Sequence, residues 1–165
     1  MNGPKELYQV LDDLNIEFVY FEHPPVATVE EAIKHWKNIH GFKCKNLFFR
    51  NHKGNRHYLV ILEFRQHLAI KDLENRLNQG KLSFASDKRL NKYLGLSPGS
   101  VSPFGLINDK EDHVKVFLDT SLKTADKIGF HPNVNTAKLV ISFEDFERYL
   151  KWTGNEYEYI DLAGG

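Results

Sequence analysis

Apolar positions switch between two periods along the chain, and the switches outline its elements. Leu7, Val10, Leu11 and Leu14 recur at helical spacing, which predicts an amphipathic helix from Glu6 to Leu14, closed by Asn15. Ile16 to Glu22 alternates imperfectly and reads as a strand. His23-Pro24-Pro25 ends it, because proline cannot donate to a ladder. Thr28, followed three residues later by Glu31, forms a capping box. The helix it opens is expected to run through Ala32, Ile33 and Trp36, and the loop His40-Gly41 follows. Leu47, Phe48 and Phe49 then continue the stretch from Gly41 to Arg50 as a strand. The turn Asn51 to Asn55 leads to a second apolar run, Tyr58 to Leu62.

Leu68 to Leu77 fits a helix with Ile70, Leu73 and Leu77 inward and Gly80 as its stop. Ser83 to Ala85 is a short extended piece. Ser86 or Asp87 caps a helix from Lys88 to Leu94 that Gly95 ends. Leu96 to Gly105 is a loop dense in Gly, Pro and Ser, and His113 to Asp119 alternates as a strand. Ile128 to Thr136 reads as a second polar loop after a short strand. Ala137 to Phe143 is a strand, and the helix from Ser142 to Trp152 is capped by Ser142 with Asp145 at the third position. Glu156 to Leu162 alternates as a last strand. Helices and strands intersperse without a regular βαβ rhythm. That predicts one mixed α/β (α+β) domain over residues 1–162, with a largely antiparallel sheet and a flexible tail at 163–165.

Composition narrows this picture. At 165 residues, 41% hydrophobic and 27% charged, the chain can bury one sizeable core. A formal net charge of zero argues against a general nucleic-acid coat. It leaves room for local basic patches, and two runs qualify: Lys43, Lys45, Arg50, Lys53 and Arg56, and then Lys88, Arg89 and Lys92. Both also fit an ordinary solvated surface. A lone cysteine, Cys44, excludes an internal disulfide and fits a reducing cytoplasm. Residues 1–6 lack the apolar region of a signal peptide, and no run approaches the roughly 20 apolar residues of a membrane span.

The familiar chemical motifs are missing. There is no zinc spacing, nucleophile elbow, phosphate loop or dinucleotide fingerprint, so no metal or cofactor is expected. Cys44 and Lys45 are neighbours on one strand, so one of the two must face the core. Cys44 is the better small hydrophobe. Lys45 at the mouth of its strand has a fixed base and a mobile tip, suited to an anionic or polarised group, although most lysines are surface lysines. The loop Gly99 to Pro103 lets backbone approach a ligand, and its N–H groups can cradle an oxyanion; it reads equally as a turn. His131 is open to either reading, as a loop histidine or a ligand contact. Asn133 and Asn135 more often serve turns than ligands.

Four segments taken together resemble a known family. They are His23-Pro24-Pro25-Val26-Ala27-Thr28-Val29-Glu30-Glu31-Ala32, Lys43-Cys44-Lys45-Asn46-Leu47-Phe48, Gly99-Ser100-Val101-Ser102-Pro103, and Phe130-His131-Pro132-Asn133 with Asn135-Thr136. In this order they are similar to the YbaK-type aminoacyl-tRNA deacylases, and among these to the free-standing prolyl-tRNA editing proteins. The resemblance implies a domain built on a curved mixed sheet that hydrolyses alanine mischarged onto tRNA for proline.

The family's lysine then falls on Lys45, its glycine–proline loop on Gly99, Ser100, Val101, Ser102 and Pro103, and its histidine on His131. Val26, Thr28, Val29, Phe42, Pro103 and Asn133 are the candidate pocket walls and substrate contacts. The implied partners are the acceptor end of that tRNA and prolyl-tRNA synthetase, with the chain a monomer in the cytoplasm. Other small aminoacyl groups, such as cysteinyl, and a non-catalytic binding module of the same fold are the alternatives.

Overall fold

Strand β2 (Phe42–Arg50) joins two halves of an eight-stranded sheet. In this computed structural model, which describes residues 1–25, 31, 34, 39 and 41–164, its first two residues pair in parallel with β6 (Lys127–Phe130). From Cys44 onward it pairs antiparallel with β3 (His57–Glu63). Beyond β6 lie β7 (Ala137–Ser142) and β1 (Val19–Glu22). Beyond β3 lie β5 (Lys115–Asp119) and β8 (Tyr157–Ile160), and the two-residue β4 (Ser83–Phe84) pairs with the end of β2. The β1–β7, β6–β7, β2–β3 and β2–β4 pairs are antiparallel; β2–β6, β3–β5 and β5–β8 are parallel. The sheet is therefore mixed, in the α/β class the sequence predicts.

Side chains along β2 alternate between two cores. Cys44 and Phe48 enter the larger, with Leu7 and Leu11 of α1 (Lys5–Asp13), Leu90 and Leu94 of α3 (Asp87–Leu94), and Phe146 and Leu150 of α4 (Phe143–Thr153). Phe49 and, in part, Leu47 face the other, with Leu73 of α2 (Ile70–Leu77), Leu82 and Leu162. The first six residues of β3 are buried, as a strand covered on both faces requires. Each fully buried Leu or Phe contributes about 1.5–3 kcal/mol relative to exposure.

Helix ends follow local chemistry. Ser86 and Ser142 cap α3 and α4 by accepting the N–H groups of Arg89 and Asp145, and left-handed Gly95 and Gly154 close those helices. Helix α2 ends at left-handed Asn78 rather than at Gly80, because asparagine also tolerates that region. Strand β1 starts at Val19, later than Ile16. Asn15 (φ 54°) is left-handed and the Ile16 N–H reaches back to the Leu11 carbonyl at 2.9 Å, so these residues close α1 instead.

Two 3-10 helices, Pro103–Asn108 and Thr120–Thr124, stand where irregular chain was expected, and Ile128 to Phe130 belong to β6. Of the helix expected from Thr28 to Trp36, Glu31 and Lys34 are helical and the rest lies outside the described residues. At the chain end, expected as a loose tail, Ala163 bridges Leu68 and the Gly164 N–H donates to the His67 carbonyl at 2.7 Å.

Candidate active site

Lys45 is the fourth residue of β2, so it sits inside the strand rather than at its mouth. It is half-buried opposite Leu62 of β3 and forms no ion pair among the described residues. Strand alternation puts it on the face of Lys43, opposite that of Cys44. Lys43 pairs with Gly129, and β2 and β6 run parallel. The pairing ends there; Lys45 and His131 each lie two residues beyond the last pair, in the same direction along their chains. From Cys44 to Leu47 the edge of β2 turned toward β6 carries no strand pairing among the described residues, while the Phe48 carbonyl accepts the Ala85 N–H at 2.9 Å.

His131 follows β6 directly. Its Nδ1–H donates to the Ala137 carbonyl at 2.9 Å, which leaves Nε2 as an acceptor. Burial pushes its pKa down to about 4, the Ala137 hydrogen bond opposes this, and the neighbouring Lys138 and His23 add to the depression. The imidazole is therefore neutral at pH 7. The His23 ring lies 5.8 Å from it, centroid to centroid.

Asn133 links the histidine loop to the glycine loop. It is left-handed (φ 62°), and its Nδ2 donates to the Phe104 carbonyl at 3.2 Å. Its Oδ1 is buried and has no hydrogen-bond partner among the described residues. Gly99 (φ 89°) abuts the same loop: a Cβ built there would lie 3.9 Å from Asn135 Nδ2. The turn is braced from behind. Ser102 Oγ accepts the Phe104 N–H at 3.1 Å, and the Pro103 carbonyl accepts the hydroxyl of buried Tyr149 at 2.9 Å.

Ser100 departs from the expected ring of free amides. Its N–H and its hydroxyl both donate to the Ser97 carbonyl, at 3.2 and 2.8 Å. The N–H groups of Gly99, Val101 and Ser102 take no acceptor among the described residues.

The remaining expected residues divide. Phe42 lies three positions from Lys45 on β2, hence on the opposite face, and packs against the larger core. Val26, Thr28 and Val29 lie outside the described residues. Cys44 is buried in the larger core, and burial raises its thiol pKa well above the ordinary value, so it stays protonated and inert.

One residue of this region was missed in the sequence. Lys138 of β7 is only 3% exposed. Its stem crosses Gly129, where an added Cβ would come within 2.7 Å of its Cε. Burial pushes its ammonium pKa down to about 8, with Cys44 opposing and Lys43 reinforcing the shift. A lysine interrupting the apolar run Ala137-Lys138-Leu139-Val140-Ile141 was the available signal.

Known proteins resemble this chain over nearly its whole length. Residues 23–149 match the family described as aminoacyl-tRNA editing domain. The chain is 41% identical to the prolyl-tRNA editing protein ProX of Acetoanaerobium sticklandii, over 98% of this chain and 99% of that one. It is 34% identical to prolyl-tRNA synthetase associated domain-containing protein 1 of Mus musculus, over 92% of this chain and 91% of the other. A crystal structure described provisionally as a trans-editing enzyme for prolyl tRNA synthetase superposes with a TM-score of 0.71, over 99% of this chain and all of that one. At 20% identity, that likeness concerns the fold.

Proposed function

Because the chain belongs to the aminoacyl-tRNA editing domain family, we propose that it is a free-standing deacylase that hydrolyses alanine mischarged onto tRNA for proline. The observation that carries this reading is the parallel register of β2 and β6, from which Lys45 and His131 both lead on, beside a glycine loop tied to the histidine loop through Asn133.

An aminoacyl ester is already activated, so a well-placed water is sufficient. Water attacks the carbonyl carbon, the acyl C–O bond breaks, and the ribose oxygen leaves with a proton. Lys45 supplies the cation that holds the ester or the terminal phosphate. The N–H groups of Gly99, Val101 and Ser102 are the donors for the carbonyl oxygen as it gains charge. Neutral His131 accepts a ribose hydroxyl at Nε2. The neighbouring ribose hydroxyl assists the water, so no protein base is required.

Selection against proline is a matter of size, since one methylene is worth only about 1–3 kcal/mol of attraction. The wall is assigned to Val26, Thr28 and Val29, and Val29→Ala is expected to admit larger aminoacyl groups. Unchanged discrimination would remove Val29 from the wall.

The substrate partner is the acceptor end of the tRNA for proline, and prolyl-tRNA synthetase is the protein this chain works beside. A monomer in the cytoplasm suits that role. No helix among the described residues is long and apolar enough to cross a membrane.

The test is deacylation of alanyl-tRNA for proline by wild type and by Lys45→Ala, with circular dichroism to show that both fold. Activity should fall to background in the variant; near-normal turnover would discard the assignment. A panel of tRNAs carrying other small amino acids separates alanine from cysteine.

A further inference from the structure

The two basic runs, separate in the sequence, meet in space. Arg89 of α3 donates from Nη1 to the Gly54 carbonyl at 2.8 Å and to His57 Nε2 at 3.0 Å. A Cβ built on Gly54 would lie 2.8 Å from Arg89 Nη2 and 3.2 Å from Arg50 Nη1, so both guanidinium groups cross the β2–β3 turn. Lys53 and Arg56 of that turn are exposed, as are Lys88 and Lys92 of α3.

This positive charge is unbalanced. The ion pairs among the described residues are Arg65–Glu63, Arg76–Glu158, Lys115–Glu158 and Arg148–Asp145, and none involves these six cations. The chain carries 22 basic and 22 acidic residues, so this patch is a local excess, not a general one. Asp112 and Glu156, which line a cleft with His113, mark its border.

The patch is also held in shape. His57 Nε2 accepts from Arg89, so its Nδ1 carries the proton and donates to His113 Nε2 at 2.9 Å. The Tyr93 ring lies 4.1 Å from the His57 ring and 4.4 Å from the His113 ring, centroid to centroid. Lys92 stands 5.2 Å over the Tyr93 ring. Arg89 is thus fixed before any ligand arrives, and its donors suit a phosphate.

We propose that the turn between β2 and β3, together with α3, forms a docking surface for the phosphate backbone of RNA. The assignment rests on the deacylase reading, under which that RNA is the acceptor arm of the substrate tRNA. Arg50 lies on the strand that carries Lys45, five residues along, or about 17 Å at about 3.3 Å per residue. Alternation puts Arg50 on the face opposite Lys45, so an acceptor arm lying on the patch passes round the edge of β2 to bring its aminoacyl end to Lys45. The patch governs affinity and leaves the chemistry to the site.

The test reverses charge at four exposed positions at once: Lys53→Glu, Arg56→Glu, Lys88→Glu and Lys92→Glu. Lys71→Glu, exposed on α2, serves as the control. Binding of uncharged tRNA is followed by fluorescence anisotropy across a salt series. Deacylation is followed on full-length alanyl-tRNA and on the alanyl ester of its terminal trinucleotide. The fourfold variant should bind tRNA at least tenfold more weakly, with a log–log salt slope shallower by about 0.7–0.9 for each phosphate that is no longer neutralised. Its KM for the full substrate should rise while kcat and the trinucleotide rate hold, and Lys71→Glu should behave as wild type. Wild-type affinity and salt slope in the variant would overturn the proposal, and so would an equal loss on the trinucleotide. If the fourfold variant does not fold, the pairs Lys53/Arg56 and Lys88/Lys92 are reversed separately and judged by the same outcomes. A wild type that binds tRNA through the patch yet cleaves no ester would sink the deacylase reading and leave the surface standing.

Discussion

Two imidazoles, one buried and one half-buried, make stability depend on pH. His57 and His131 each have a pKa pushed down to about 4, in both cases chiefly by burial. In the unfolded chain each takes a proton near pH 6.5, which the fold refuses until about pH 4. The neutral form is the one the fold favours, so this stability is complete above pH 6.5 and drains away as pH falls toward 4. Urea midpoints measured from pH 7 to 4 should decline, and His57→Gln, which keeps an acceptor for Arg89 and a donor for His113, should flatten part of that decline. An unchanged slope would mean that His57 titrates normally. Asn133 tests the loop tether at the same scale. Asn133→Gly keeps the left-handed backbone and removes the bond to Phe104, a change of about 0.5–1.5 kcal/mol. Asn133→Ala adds about 1–2 kcal/mol for its Cβ in that region. Melting temperatures should fall in the order wild type, Gly, Ala.

Among the elements, the 3-10 helix Pro103–Asn108 sets the glycine loop against α3, and Gly105 is where the two come closest. A Cβ on Gly105 would sit 2.7 Å from Leu96 Cδ1 and 3.0 Å from the Leu94 carbonyl oxygen. That oxygen is backbone and also accepts from Asn108 Nδ2 at 2.9 Å, so it cannot easily yield. Gly105→Ala should cost about 1–3 kcal/mol in denaturant unfolding and weaken deacylation by displacing the loop. Ser142→Ala removes only the α4 cap, far from the loop, and should cost about 1 kcal/mol with activity retained. Loss of activity in Ser142→Ala with normal stability would contradict this division.

At the scale of the molecule, β2 is the strand on which both proposals converge. Its first half leaves β6 and opens the sheet beside Lys45; its far end delivers Arg50 to the basic turn. Chemistry and RNA docking then occupy two ends of one rigid element, which keeps their separation constant. Raising salt should therefore raise KM for alanyl-tRNA while barely changing kcat, since screening acts on exposed charge. A salt effect confined to kcat would place the sensitive cations in the site instead.

Local chemistry was enough to determine most elements, whereas Lys45, His131 and the glycine loop were singled out only by the resemblance of four short segments to a family. Caps such as Ser86 and Ser142, apolar periods and short motifs are set by residues close in the chain. Boundaries slipped where two local endings competed, as at Ile16, which turns back to Leu11, and Asn78, which ends α2 before Gly80. Only the folded sheet could pair Lys43 with Gly129, two residues before Lys45 and His131, since that depends on a parallel register between strands distant in the chain. Only the fold could bury Lys138 over Gly129 and merge two basic runs through Arg89 and Gly54. These interactions join residues that share no local pattern, so their energies exist only once packing has brought the segments together.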